Sequence, residues 1–237
     1  MAAKQTIVTS PDLRQHQIVR RYFDLPKFLD LLRSQSLYLR RADGFIDRFE
    51  GALTPAIRAA LDEAHLKKQI SYTANEFYQK ARQGNFVSCW NLGAKDNMAL
   101  WQLYGGAATS VVVTCTIDKL LGAAFRWGEV VLFHKVRYID HFKNPNMIVG
   151  AGSDLLQFKH EAYQYEREVR IVVSRSSDWR SNPSGIRLPL GDLNEVIRSI
   201  VVAPEAAPWF FELVEDVTRK YGVRMPVRRS KLTELPK

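Results

Sequence analysis

Residues Tyr165–Val173 spell YEREVRIVV, an alternating run that ends in β-branched residues. Tyr165, Val169, Ile171 and Val173 share one face, and Glu166, Glu168 and Arg170 share the other. A two-residue period of this composition predicts a strand half-buried in a sheet. Its second face then projects two carboxylates and a guanidinium at i, i+2 and i+4. Carboxylates so close repel, and one pKa should rise unless Arg170 or another cation compensates. A solvated strand face with a cross-charge pair gives the same pattern, so the surrounding chain must distinguish a surface from a site.

Outward from this run, Ser110–Ile117 (SVVVTCTI) is too continuously apolar for an exposed edge and is expected in the middle of the sheet. Asn85–Trp90 (NFVSCW) and Leu37–Arg40 read as strands, and Ile18–Phe23 (IVRRYF) as the first strand after a polar, loose N-terminus. Glu129–Asp140 alternates, with His134 on the apolar side among Val130, Leu132, Val136 and Tyr138, which favours a hydrogen-bonded core histidine over a catalyst. Ile186–Leu190, Ile197–Val202 and Val223–Val227 complete the strands. Helices are expected where caps precede apolar stripes: Asp24 with Pro26, Thr54-Pro55 to about Lys68, the Thr73/Glu76 capping box ending at Gly84, and Asp96 before Met98–Tyr104. Two more are expected near Asp154–Tyr163 and from Pro208 to Gly222. Strands outnumber helices and the helices interrupt them irregularly. That order predicts α+β, with a mixed or antiparallel central sheet and flanking helices. A single domain over residues 1–237 is expected, with a helical insertion at about 53–83 and a basic tail at about 224–237.

The 237 residues suffice for a substantial core, and no run of 18 uncharged apolar residues occurs. A soluble, cytoplasmic protein without membrane contact is expected. Cys89 and Cys115 have no metal-ligand spacing, so buried reduced thiols are favoured over a zinc site. Much of the net charge of +9 sits in residues 219–237, where seven Lys or Arg face Glu234 alone. Such a tail either contacts nucleic-acid phosphates or is solvated decoration. Oligomeric state is not legible.

Three segments together resemble a bacterial domain-of-unknown-function family. They are RRYF with DLPKFLDLLRSQSLYL and the NDPFEG-like loop IDRFEG (Ile46–Gly51), then FVSCW with DNMALWQLYGG, then Lys159 with YEREVR. Ile46 and Arg48 depart from the usual Asn and Pro, and Phe23 stands where the family often has Arg. More distantly, the order resembles the ADP-ribosyltransferase superfamily, whose DNA-directed members carry a late Glu-bearing strand followed by an apolar segment. EVRIVV (Glu168–Val173) and IRSIVVAP (Ile197–Pro204) are similar in character.

That resemblance implies an ADP-ribosyltransferase-like fold, NAD as substrate, and a nucleic acid or protein as acceptor in bacterial or phage conflict. It places Glu168 at the catalytic carboxylate, with Glu166 beside it and Ser88 at the middle-strand Ser. Arg20 or Arg21 is the candidate for the pyrophosphate cation, since a guanidinium fork matches phosphate oxygens. Tyr22, Trp90 and Trp101 would offer stacking surface, and Arg170 would keep the carboxylates ionised and contact the ligand. Each has a plain alternative: Ser88 satisfying a strand end, the tryptophans in the core. No Gly-rich phosphate loop is present. A non-catalytic nucleic-acid or protein binding module on the same scaffold is the second expectation. A metal-dependent nuclease using Asp47, Glu166 and Glu168 is the third, weakened because Arg170 would repel the ion.

Overall fold

The computed structural model describes residues 6–47, 49–143 and 147–233. Its strands are β1 (Thr6–Thr9), β2 (Ile18–Asp24), β3 (Ser36–Arg41), β4 (Asn85–Leu92), β5 (Ser110–Thr116), β6 (Val130–Lys135), β7 (Arg137–Ile139), β8 (Phe158–His160), β9 (Glu168–Ser174), β10 (Gly185–Pro189), β11 (Ser199–Val202) and β12 (Val227–Arg229). Its helices are α1 (Leu25–Ser34), α2 (Pro55–Leu66), α3 (Ala74–Gln83), α4 (Met98–Tyr104), α5 (Ile117–Ala124), α6 (Leu193–Val196) and α7 (Pro208–Lys220). Parallel and antiparallel pairs coexist, so the fold is α+β on mixed sheet. The residues group into two compact units.

The first unit takes the chain as far as Ser10, then Tyr38–Cys89 and Gly128–Ile186. Here β1 runs parallel to β6, so the N-terminus, expected loose, is pinned from Thr6 by four β-branched residues in register with Val130–Phe133. β6 runs antiparallel to β9, with Phe133 opposite Ile171 and His134 opposite Arg170. β4 flanks β9 on the other side, and β3 joins β4 antiparallel. With neighbours on both edges, β9 is buried from Glu168 to Val173, and the half-buried strand expected of this run becomes a central one. The two helices expected between Thr54 and Gly84 form, as α2 and α3. Thr73 and Glu76 close their capping box at the head of α3, and Phe77 and Tyr78 pack with Ile57 and Leu61 onto Leu53, Ala74, Ala81 and Leu155.

Two expectations fail in this unit. The helix near Asp154–Tyr163 is replaced by short 3-10 segments, Gly152–Gln157 and Glu161–Glu166, on either side of β8. β8 pairs in parallel with β7, matching Tyr138 to Lys159, and this long-range pairing overrides local helical spacing. The strand expected from Tyr165 starts only at Glu168, because Arg167 adopts a left-handed conformation (φ 45°) that ends the preceding turn.

The second unit comprises Pro11–Leu37, Trp90–Trp127 and the chain from Arg187 onward. β2 pairs antiparallel with β5 along its whole length, and β5 pairs antiparallel with β11. β5 is buried at every residue, as its apolar run requires. α1 is capped by the Asp24 carboxylate, which accepts from the Lys27 N–H at 2.8 Å. The cap of α4 is Asn97, not Asp96. β12 runs parallel to β11, with Val202 opposite Arg229, so the last strand lies later than Val223–Val227. Arg228 and Arg229 are exposed residues of that strand rather than part of a free tail.

Candidate functional site

Glu168 and Arg170 are neighbours on one face of β9, and around them the first unit gathers an ionic cluster away from water. Glu168 is 4% exposed, Arg170 1% and Glu50 1%. The Arg170 fork grips Glu50 bidentately, with Nη2 to Oε2 at 2.9 Å and Nη1 to Oε1 at 2.5 Å. It also donates to Glu168, from Nε at 3.0 Å and Nη2 at 3.2 Å, and from Nη1 to the Leu156 carbonyl at 2.8 Å. All five guanidinium N–H groups thus find partners. Arg170, expected to contact a ligand, is instead occupied inside the protein.

Glu166 lies outside β9, at the end of the 3-10 turn, so it does not share a strand face with Glu168. Lys159 reunites them. From β8 its Nζ binds Glu166 and also reaches Glu168 Oε2 at 3.2 Å, with its ammonium 4.7 Å from the centre of the Tyr163 ring. The Tyr138 hydroxyl accepts the Glu168 backbone N–H at 2.7 Å, fixing the first residue of the strand. Burial alone would raise the Glu168 carboxyl, but Arg170 and Lys159 overcome it and hold the group down at about 2. Burial dominates at Glu50, which is raised despite Arg170, with Glu168 adding repulsion. The two carboxylates that share one guanidinium are therefore pushed apart. Lys159 is raised: burial opposes its charge, and Glu168 and Glu166 outweigh that.

The Cys89 thiol, on β4, bonds to Glu168, and burial first and this carboxylate second push it well up. Successive strand residues face opposite sides. Ser88, buried beside Cys89, therefore points to the face away from the cluster. Cys115 is also a free thiol, raised by burial to about 12. His134, opposite Arg170, is buried as expected, but its Nε2 lacks a hydrogen-bond partner, and burial lowers its pKa. Asp47 caps its own turn by accepting from the Phe49 N–H at 2.9 Å. Among the described residues, no three His, Cys, Asp or Glu side chains gather as metal ligands. Arg48 lies outside the described residues.

Glu50, Lys159, Tyr138 and Cys89 were not assigned to the site by sequence reasoning. Glu50 carried one usable signal, the Gly that follows it. Gly51 has φ +67°, a conformation that favours glycine, and the turn it permits sends Glu50 inward.

In the second unit, Arg20 is buried and salt-bridged to Asp96. Asp96 also accepts from Ser230 Oγ at 2.6 Å and from the Lys231 N–H at 3.1 Å, so the expected pyrophosphate cation serves as a clamp on the C-terminal segment. Arg21 is half-buried, with its guanidinium 5.2 Å from the Phe23 ring centre. Tyr22 meets Trp101 edge to face at 5.0 Å, and burial raises its phenol. Trp101 and Trp90 are core residues.

No protein-family model matches the chain, and no curated protein does. Among solved structures, it is similar to Thermus sp. 2.9 DarT in complex with NAD+, at 10% identity and TM-score 0.45, over 94% of this chain and 100% of that one. It is also similar to the same protein in complex with carba-NAD+, at 12% and 0.43, over 92% and 97%. A third match is that protein in complex with ADP-ribosylated ssDNA, at 12% and 0.44, over 93% and 96%. Among the described residues, no helix is long and apolar enough to cross a membrane.

Proposed function

We infer that this chain is an ADP-ribosyltransferase-like domain that transfers ADP-ribose from NAD to a nucleic acid or protein acceptor. The observation that carries the reading is the ionised Glu168 carboxylate at the head of β9, bridged by Lys159 to a second carboxylate, Glu166. In such a transfer the ribose–nicotinamide bond breaks, nicotinamide leaves with the bonding pair, and the acceptor bonds to the sugar carbon and gives up a proton. A fixed anion stabilises the cationic transition state, and a second carboxylate can take the proton. The Lys159–Glu168 contact, at 3.2 Å, is the one a ribose hydroxyl would replace, leaving Lys159 on Glu166.

A second reading, a non-catalytic binding module on the same scaffold, is favoured by the saturation of Arg170 and Glu168 with internal partners. Incubation with NAD and mass spectrometry for free nicotinamide separates the two. Release by the wild type supports the transferase, and nucleic-acid binding without release supports the module.

A further inference from the structure

The far end of β9 borders a cavity of about 450 Å³ that the ionic cluster does not reach. Ser174, on its wall, lies six residues along the strand from Glu168, about 20 Å at strand rise. Its volume falls within the range of about 300–1,000 Å³ usual for small-molecule sites. Three aromatic rings line it. Tyr72 and Phe77 stack nearly parallel, 19° apart with centres 5.7 Å from each other, and Trp179 carries the Arg180 guanidinium 4.3 Å from its ring centre.

Two cations, Lys80 and Arg180, stand on the wall against one carboxylate, Glu76. Glu76 is held back by the capping box, where Thr73 N–H and Oγ1 donate to it at 2.9 and 3.1 Å. The wall also includes Asn85. Its Nδ2 donates to the Ala81 carbonyl at 2.7 Å, and its Oδ1 is buried with no protein partner. The nearby Gly150 and Ala151 N–H groups are not free for an anion, since both donate to Asp154 at 2.8 Å.

Flat aromatic faces, a net positive wall and an unanswered amide oxygen describe a ligand with a π-face, a negative charge and a hydrogen-bond donor. We propose that this cavity, outside the Glu168 cluster, binds a nucleotide, with the base against Trp179 and the phosphate at Lys80 and Arg180. The base supplies the donor for Asn85. The shared chemistry is one nucleotide unit, whether free or within a single strand.

The test is calorimetric titration of the full chain with AMP, adenosine and inorganic phosphate in parallel. AMP should bind more tightly than either fragment. Trp179→Ala should weaken AMP by about tenfold or more, as expected for loss of base stacking. Arg180→Ala with Lys80→Ala should weaken AMP but leave adenosine unchanged. AMP has no nicotinamide to release, so the outcome is independent of whether the chain turns over NAD. Adenosine or phosphate binding as tightly as AMP overturns the proposal, as does unaltered AMP affinity in Trp179→Ala with its melting temperature preserved. Absence of AMP binding overturns it too, unless a short oligothymidylate binds and loses affinity in Trp179→Ala, which would identify the strand as the source.

Discussion

Replacing Arg170 by Met keeps most of its length and removes its charge and all five donors. Glu50 and Glu168 then face each other in the interior, with Lys159 the remaining cation of the cluster. Breaking a buried ion pair from one side costs about 3–5 kcal/mol, because the partner charge is left uncompensated. The electrostatics of Glu168 give a similar scale. Its carboxyl falls from 4.5 to about 2 on folding, which corresponds to about 3 kcal/mol of stability at neutral pH. A folded pKa below the unfolded one contributes stability that is complete above about 5 and lost as pH falls toward 2. The Glu168 contribution to wild-type stability should therefore decline across that window, the raised Glu50 acting in the opposite sense, and the Arg170→Met penalty should shrink there as the orphaned carboxylates protonate. For a chain of this size, a loss of about 4 kcal/mol lowers the melting temperature by about 8–16 °C. Urea titrations at pH 7 and pH 4 measure both effects. A variant within about 1 kcal/mol of wild type at pH 7 would refute the claim that this cluster anchors β9.

Asp96→Ala should cost about 3 kcal/mol, because it leaves Arg20 buried and unpaired and frees Ser230, and a melting curve like wild type would contradict that clamp. Truncation before Val227 should destabilise the protein by removing β12. By contrast, Arg228→Glu with Arg229→Glu should leave the melting temperature nearly unchanged and lower nucleic-acid affinity and its salt slope if these side chains meet phosphates. Cys89 should react with iodoacetamide at pH 8 much more slowly than a free thiol, because its raised pKa leaves little thiolate. Glu168→Gln should speed the reaction by removing a neighbouring anion, and equal rates in the two proteins would show that the thiol does not sense Glu168.

Local signals carried much of the architecture. The apolar run at Ser110–Thr116 became a fully buried strand, and Asp24 and the Thr73/Glu76 pair capped the helices whose starts they marked. Signals that depend on distant chain were silent. Glu50 meets Arg170 across 120 positions, and beyond the Gly51 turn beside it nothing local marks it as a buried carboxylate. β8 forms only because β7 is there to pair with it, so Asp154–Tyr163 reads as helix in isolation. The alternation through Tyr165 and Glu166 was a true pattern with the wrong cause: Arg167 breaks it, and Lys159, not a shared strand face, brings the carboxylates together. Thr6–Thr9 was a missed signal, since four β-branched residues already favour a strand.

Nicotinamide release from NAD tests the role of Glu168 most directly. Wild type and Glu168→Gln would be incubated with NAD and candidate acceptors, and free nicotinamide followed by mass spectrometry. The transferase reading predicts release by the wild type and a loss of about two orders of magnitude or more in the variant, whose amide keeps the size but not the charge. Equal release by both would move catalysis away from Glu168, and no release by the wild type with any acceptor would contradict the transferase reading.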